Sequence, residues 1–223
     1  RLSRALAVFD ADPAATLTFG DARIIDGDGE PTGAALFATL GVSADERARV
    51  EAGRALDALL RRNLVTGATV LLRRELIDRA VPFPIDWVHD EWLAVVAALT
   101  SRVAIVPGDV IDYRIHGGNQ IGVARLTPTV AIGRLTEPRG ERNRRMASQW
   151  AQLESRVPAL GAQVTPADAG LVRNKAAHER FRAALPASRF GRIRPVLRHA
   201  RTGAYSQFSR GPQDVLRDLV QPA

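Results

Sequence analysis

The apolar positions change their spacing several times along the chain, and each change marks an element. Leu2, Leu6 and Phe9 recur at helical spacing, so residues 2–10 are expected to be helical, stopped by Asp12-Pro13. Thr16 to Ile25 is rich in β-formers and is followed by Asp26-Gly27-Asp28-Gly29, which predicts a strand and then a tight turn. Ser43-Ala44-Asp45-Glu46 has capping-box spacing and opens a helix over about 44–61, with Val50, Leu56, Leu59 and Leu60 on its apolar face. Val65 to Leu72 is expected as a strand broken by Gly67, where the missing side chain lets another backbone or a ligand come close. A short helix over Glu75–Arg79 is closed by Pro82 and Pro84. His89 to Thr100 is a helix with Leu93, Val96 and Ala97 turned inward. Val103–Val106 and Val110–Tyr113 form two short strands around a Pro107-Gly108 turn.

Beyond Gly122 the alternating pattern is lost. Residues 127–155, 166–185 and 189–202 are rich in Ala and Arg and helical in pattern, interrupted by Pro158, Pro166 and Pro186. The fold class expected is therefore α/β, a mixed sheet with flanking helices, followed by an all-helical C-terminal extension. The domains are expected at residues 1–125 and 126–223.

Composition adds limits. The 223 residues are 46% hydrophobic and 25% charged, as in ordinary globular proteins, and no apolar run is long enough to span a bilayer. The absence of cysteine excludes disulfides, thiolate metal sites and a cysteine nucleophile. The formal net charge of +7 points to an anionic partner, although Lys175 is the only lysine among the 31 basic residues and the arginines are spread widely. No basic strand interleaved with aromatics and no recognition-helix motif occurs. A phosphate-bearing small molecule or an anionic membrane surface therefore fits the charge better than a nucleic acid.

Two polar clusters end the apolar elements between Asn63 and Gly122. In His89-Asp90-Glu91-Trp92, acidic residues are favoured by the free N–H groups of a helix N-terminus alone. Asp90 could equally be a carboxylate at the mouth of a cleft, taking a proton from an attacking hydroxyl. Trp92 fits either core packing or stacking on a sugar face. In the second cluster, Arg114-Ile115-His116-Gly117-Gly118-Asn119-Gln120, an arginine fork and a histidine on a glycine-bearing loop would make a diphosphate grip; the alternative is a polar loop with a structural histidine. Asp26 and Asp28 have the spacing of a metal motif, but an Asp-Gly turn accounts for them and no further ligand follows at calcium-loop spacing.

Taken in order, VTGATVLLRREL (65–76), PFP (82–84), HDEWL (89–93) and YRIHGGNQIG (113–122) resemble the acceptor-side half of family-2 glycosyltransferases, the rhamnosyltransferase-like bacterial group with a GT-A fold. TLTFGDARIIDGDGEP (16–31) is similar to the strand and turn that precede it there, and the stretch from Gly203 to Leu219 is similar to the helical extension of some members. The resemblance covers about residues 1–122. It implies an enzyme that transfers a sugar, with inversion, from a nucleotide-sugar to a hydroxyl of a glycan or lipid-linked acceptor. That activity would serve cell-envelope polysaccharide synthesis, in the cytoplasm or at the inner face of the membrane. It implies that Asp90 is the catalytic base, that Arg114 and His116 close over the donor diphosphate, and that His116 touches a divalent cation, Mg or Mn. Thr66 and Gly67 would line the sugar pocket, with Asp21, Trp92 and Asn119 as further substrate contacts. It also implies a nucleotide-binding half ahead of Leu2, so this chain would act as part of a longer one.

Two other readings stand beside it. The Arg-rich helices of 127–202 would suit a non-catalytic module that binds an anionic membrane surface or a partner protein. A metal hydrolase built on His89, Asp90 and His116 is the poorer option, because these residues lack the spacing of helix-borne ligands.

Overall fold

The computed structural model describes residues 1–115 and 137–222. The chain divides into two compact units. One comprises Arg1–Leu59, Asn63–Phe83 and Val88–Arg125; the other comprises Leu60–Arg62, Pro84–Trp87 and Leu126–Ala223.

The first unit is α/β, built on a four-stranded mixed sheet whose hub is β1 (Ala15–Ile25). One edge of β1 carries β4 (Arg102–Arg114), parallel to it from Ala15↔Arg102 to Ile25↔Arg114. The opposite edge is shared by two short antiparallel strands: β3 (Leu71–Leu72) against Leu17 and Thr18, and β2 (Pro31–Ala35) against Arg23 and Ile25. With neighbours on both edges, β1 is buried on both faces from Ala15 to Gly20, as its continuous run of β-formers implies. Helices α1 (Leu2–Ala11), α2 (Leu36–Leu40), α3 (Ala44–Glu51), α4 (Ala55–Leu59), α5 (Arg74–Ala80) and α6 (His89–Thr100) complete this unit. Leu17, Phe19, Leu36, Leu64, Leu76 and Trp92 are its largest fully buried side chains.

Three expectations are corrected. The helix over 44–61 is two helices. Ser43 and Glu46 form the capping box, but Gly53 at φ +75 ends α3, with Gly53 N–H donating to Val50 O and Arg54 N–H to Arg49 O. This is the double bond of a Schellman stop, which glycine makes without steric cost. Val65–Leu72 is not one strand: Gly67–Thr69 is a 3₁₀ turn closed by Thr69 N–H and Oγ1 on Thr66 O, and only Leu71–Leu72 pair. Conversely, the two strands expected at 103–106 and 110–113 are one. Pro107 and Gly108 bulge out of β4 where the register passes from Gly20↔Val106 to Asp21↔Asp109, a single-strand accommodation of extra residues. The Asp26–Gly29 segment is the expected turn, with Asp26 Oδ1 accepting from the N–H groups of Asp28 and Glu30.

The second unit is helical: α7 (Arg139–Arg156), α8 (Pro166–Ala183), α9 (Arg189–Ala200), α10 (Ala204–Phe208) and α11 (Pro212–Val220). The stretch expected as helix over 127–155 is helical from Arg139; residues 127–136 lie outside the described part. A small apolar cluster of Leu185, Val196 and Tyr205 is joined to a buried ionic network. Arg182, fully buried on α8, meets both carboxylate oxygens of Asp218 at 2.7 and 3.3 Å, and lies 3.4 Å from Glu179 and 3.6 Å from Asp214. Lys175 donates to Glu179 at 2.5 Å and to Phe208 O at 2.6 Å, beneath the Trp150 ring. Tyr205 and Asn143 donate to Asp218 as well. The Arg139 guanidinium donates to the carbonyls of Arg182, Leu185 and Pro186 at the end of α8, where a cation complements the helix dipole.

The same surroundings set the pH response of this unit. His178 is buried beside Lys175, Arg182 and His199, and burial first, then the Lys175 and Arg182 cations, hold its pKa down at about 2. The unfolded chain titrates near 6.5, so below that pH it takes up a proton that the folded chain refuses. The folded-state advantage is complete above pH 6.5 and falls by about 1.4 kcal/mol per pH unit below it. Burial pushes Asp214 up, but Arg182, the Arg210 N–H, Arg142 and Arg217 outweigh it and hold the group at about 2; its contribution is lost below the usual 3.8. Denaturant unfolding followed on the helical segments is expected to show this slope. His178→Phe should flatten most of it above the carboxylate range, leaving the remainder to His199, whose pKa burial also lowers. An unchanged slope would remove His178 as its source.

Candidate functional site

The clearest convergence of polar groups in the sheet unit is at the N-terminus of α6. Val88 enters the helix in an extended conformation without a side-chain cap, and Asp90 and Glu91 occupy the first turn, where negative charge meets free N–H groups. Asp90 is more than a first-turn carboxylate. Its Oδ2 accepts the Gly67 N–H at 2.8 Å; its Oδ1 accepts the Glu91 N–H at 2.7 Å and the Asn63 side-chain amide at 3.4 Å. Asn63 is itself fixed by two bonds to the Val65 backbone. A carboxylate offers about four lone-pair positions, so three donors orient Asp90 and leave capacity for one more hydrogen. The group is half-buried.

Gly67 is what lets these groups meet. A Cβ built there would stand 2.9 Å from His89 Nε2, too close for the ring to stay where it is, and 3.3 Å from Asp90 Oδ2, a tight contact. The glycine that interrupts the apolar run of 65–72 therefore marks a close approach, and the approaching groups are His89 and Asp90. Thr66, half-buried beside it, uses its carbonyl to close the 3₁₀ turn; its hydroxyl makes no hydrogen bond among the described residues.

The other residues singled out from the sequence are placed as follows. Arg114 ends β4 and donates to Gly27 O at 2.5 Å and Asp26 O at 3.4 Å, so its guanidinium lies on the β1–β2 turn. Asp21 accepts the Phe37 N–H and the Ala22 N–H, both at 2.8 Å, and so ties the first turn of α2 to β1. Trp92 is fully buried and donates to Ala80 O at 2.8 Å; it is a core residue of α6, and stacking on a sugar is corrected to core packing. His116 and Asn119 lie outside the described residues. Sequence reasoning gave Asn63 no role in this cluster, and His89 one only as a ligand in the metal-hydrolase alternative. The only signal for them was adjacency, Asn63 three residues before Thr66 and His89 next to Asp90.

Among the described residues no group of three or more His, Asp or Glu side chains is placed to hold a metal ion. A hollow of about 480 Å³ between α1, α3 and β4 is lined by Val8, Val50, Ile105 and Pro107 among others, and by none of the candidate site residues. No helix among the described residues is long and apolar enough to cross a membrane. Compared with protein-family models, curated proteins and solved structures, the chain finds no match.

Proposed function

We propose that residues 1–125 are the acceptor side of an inverting, nucleotide-sugar-dependent glycosyltransferase of GT-A type, with Asp90 as its base. The observation that carries this is the oriented carboxylate of Asp90, held by Gly67, Asn63 and Glu91 with one acceptor position to spare. In the reaction, an acceptor hydroxyl would give its proton to Asp90 while its oxygen attacks the anomeric carbon. The bond from that carbon to the diphosphate breaks, and the electron pair leaves with the nucleoside diphosphate. Support also comes from the parallel pair β1–β4, since ligands of such sheets gather beyond the carboxyl ends of the strands, here Ile25 and Arg114. The donor grip assigned to Arg114, His116 and Asn119, and a divalent cation on His116, remain parts of the proposal that come from the resemblance.

The test is release of nucleoside diphosphate from a panel of nucleotide-sugars by the natural gene product carrying this chain, in the presence of glycan and lipid-linked acceptors. Gly67→Ala is the informative variant. Its backbone lies outside the left-handed region, so the fold should persist, yet its methyl group would turn the His89 ring away and press lightly on Asp90. The shift asked of Asp90 is a few tenths of an ångström, so transfer should fall only in part, well short of the roughly 10²-fold that a misplacement of about 1 Å costs. Full transfer by Asp90→Asn, or no release from any donor, would overturn the proposal.

A further inference from the structure

Helix α9 (Arg189–Ala200) carries an apolar stripe that the helical unit does not cover. Phe190, Ile193 and Leu197 are 87%, 42% and 44% exposed, whereas Arg192 and Val196 on the same helix are buried. At 3.6 residues per turn the three exposed side chains fall within one narrow arc. Arg194, Arg198 and, just past the helix end, Arg201 follow on one side of that arc, and Arg189 borders the other. None of these four guanidinium groups forms an ion pair or a hydrogen bond among the described residues, and α9 contains no acidic residue. Arg194 and Arg198 also line a hollow of about 590 Å³ with Phe181, Pro195, His199 and Thr202.

We infer that this face of α9 docks on an anionic phospholipid surface. The apolar stripe would enter the acyl boundary while the flanking arginines take lipid phosphates, Arg194 and Arg198 at the mouth of the hollow. Charge complementarity selects this occupant. A second copy of the chain would set arginines against arginines. A nucleic acid would satisfy the arginines but leave Phe190, Ile193 and Leu197 without an apolar partner. The inference does not depend on glycosyl transfer, because it is read from binding alone.

The experiment is co-sedimentation of the full 223-residue chain with vesicles of phosphatidylcholine, pure or mixed with phosphatidylglycerol. Binding is expected to the mixed vesicles only, and to weaken as salt rises. Removing both Arg194 and Arg198, as R194Q with R198Q, should weaken it by about 20–30-fold, at roughly five-fold per arginine. Replacing Phe190 and Leu197 together by Ser should weaken it by at least about ten-fold. All four side chains are exposed, so the fold should survive, as far-UV circular dichroism would verify. Equal binding to both kinds of vesicle, no binding to either, or full binding by either double variant would overturn the inference. Salt-sensitive retention on immobilised nucleic acid without vesicle binding would overturn it as well.

Discussion

Replacing Asp90 by Asn is expected to cut glycosyl transfer by roughly 10²–10⁴-fold, the share of a rate that a positioned general base supplies. The substitution is nearly isosteric and keeps one oxygen, which can accept either the Gly67 N–H or the Glu91 N–H but not both, so one local hydrogen bond is lost. It removes the charge and the capacity to take a proton. The lost bond should cost about 1 kcal/mol of stability, with donor binding near normal, while turnover falls at unchanged KM, the signature of an interaction made only in the transition state. Asn63→Ala separates the base from its support. It deletes one of the three donors to Asp90, so transfer should fall far less than in Asp90→Asn. Substantial transfer by Asp90→Asn would remove Asp90 from the role of base. An unfolded Asp90→Asn protein would identify it as a structural cap of the 67–69 turn instead.

This distinction bears on what the sequence could reveal. The site is legible where local chemistry decides geometry. Gly67 in an apolar run marks a close approach, and an Asp just inside a helix start marks a carboxylate near free N–H groups; both expectations describe the same contact. The helix opened by Ser43 and Glu46 is legible for the same reason, because a capping box is made by residues three apart. Legibility is lost where the outcome depends on partners distant in sequence. The bulge at Pro107-Gly108 reads as a turn until β1 is seen to run alongside both halves of β4. For Trp92 the sequence favours core packing, since it lies one turn from the inward-facing Val96; its bond to Ala80 O and its complete burial decide it.

The arginines show the same limit most strongly. Read as composition, they suggest an anionic partner. In the helical unit, however, Arg139 and Arg182 are buried and bonded internally, and only a subset such as Arg189, Arg194, Arg198 and Arg201 is left for one. Spacing held a partial signal, since Lys175, Glu179 and Arg182 lie on one helical face and Asp214 and Asp218 are four apart. Nothing local, however, indicates that the two acidic residues of α11 come to the arginine of α8.

Arg182→Met is accordingly expected to destabilise the helical unit by about 3–5 kcal/mol, the usual cost of removing one partner from a buried ion pair. Methionine replaces the aliphatic part of the arginine but ends short of the guanidinium, so a small void beside Asp218 adds to the electrostatic loss. Asp218 would keep the hydroxyl of Tyr205 and the amide of Asn143, but two neutral donors do not replace a bidentate guanidinium at 2.7 and 3.3 Å. Asp214 would still have Arg142 and Arg217 nearby, and Glu179 would still have Lys175, so the damage should centre on Asp218. Adding Asp218→Asn to Arg182→Met should recover a substantial part of the loss, because the stranded charge is then gone. The exposed pair formed at 2.7 Å by Arg180 of α8 and Glu154 of α7 is the internal control; breaking it should cost only about 0.2–1 kcal/mol. Because two units need not unfold together, hydrogen exchange of amides in 166–183 and 212–220 is the suitable measure, compared with β1 and β4. If Arg182→Met loses no more protection there than Arg180→Ala, or if Asp218→Asn deepens the loss, the stability of this unit lies in its apolar contacts. A loss confined to the helical amides and relieved by the second substitution would instead place it in the Arg182–Asp218 pair.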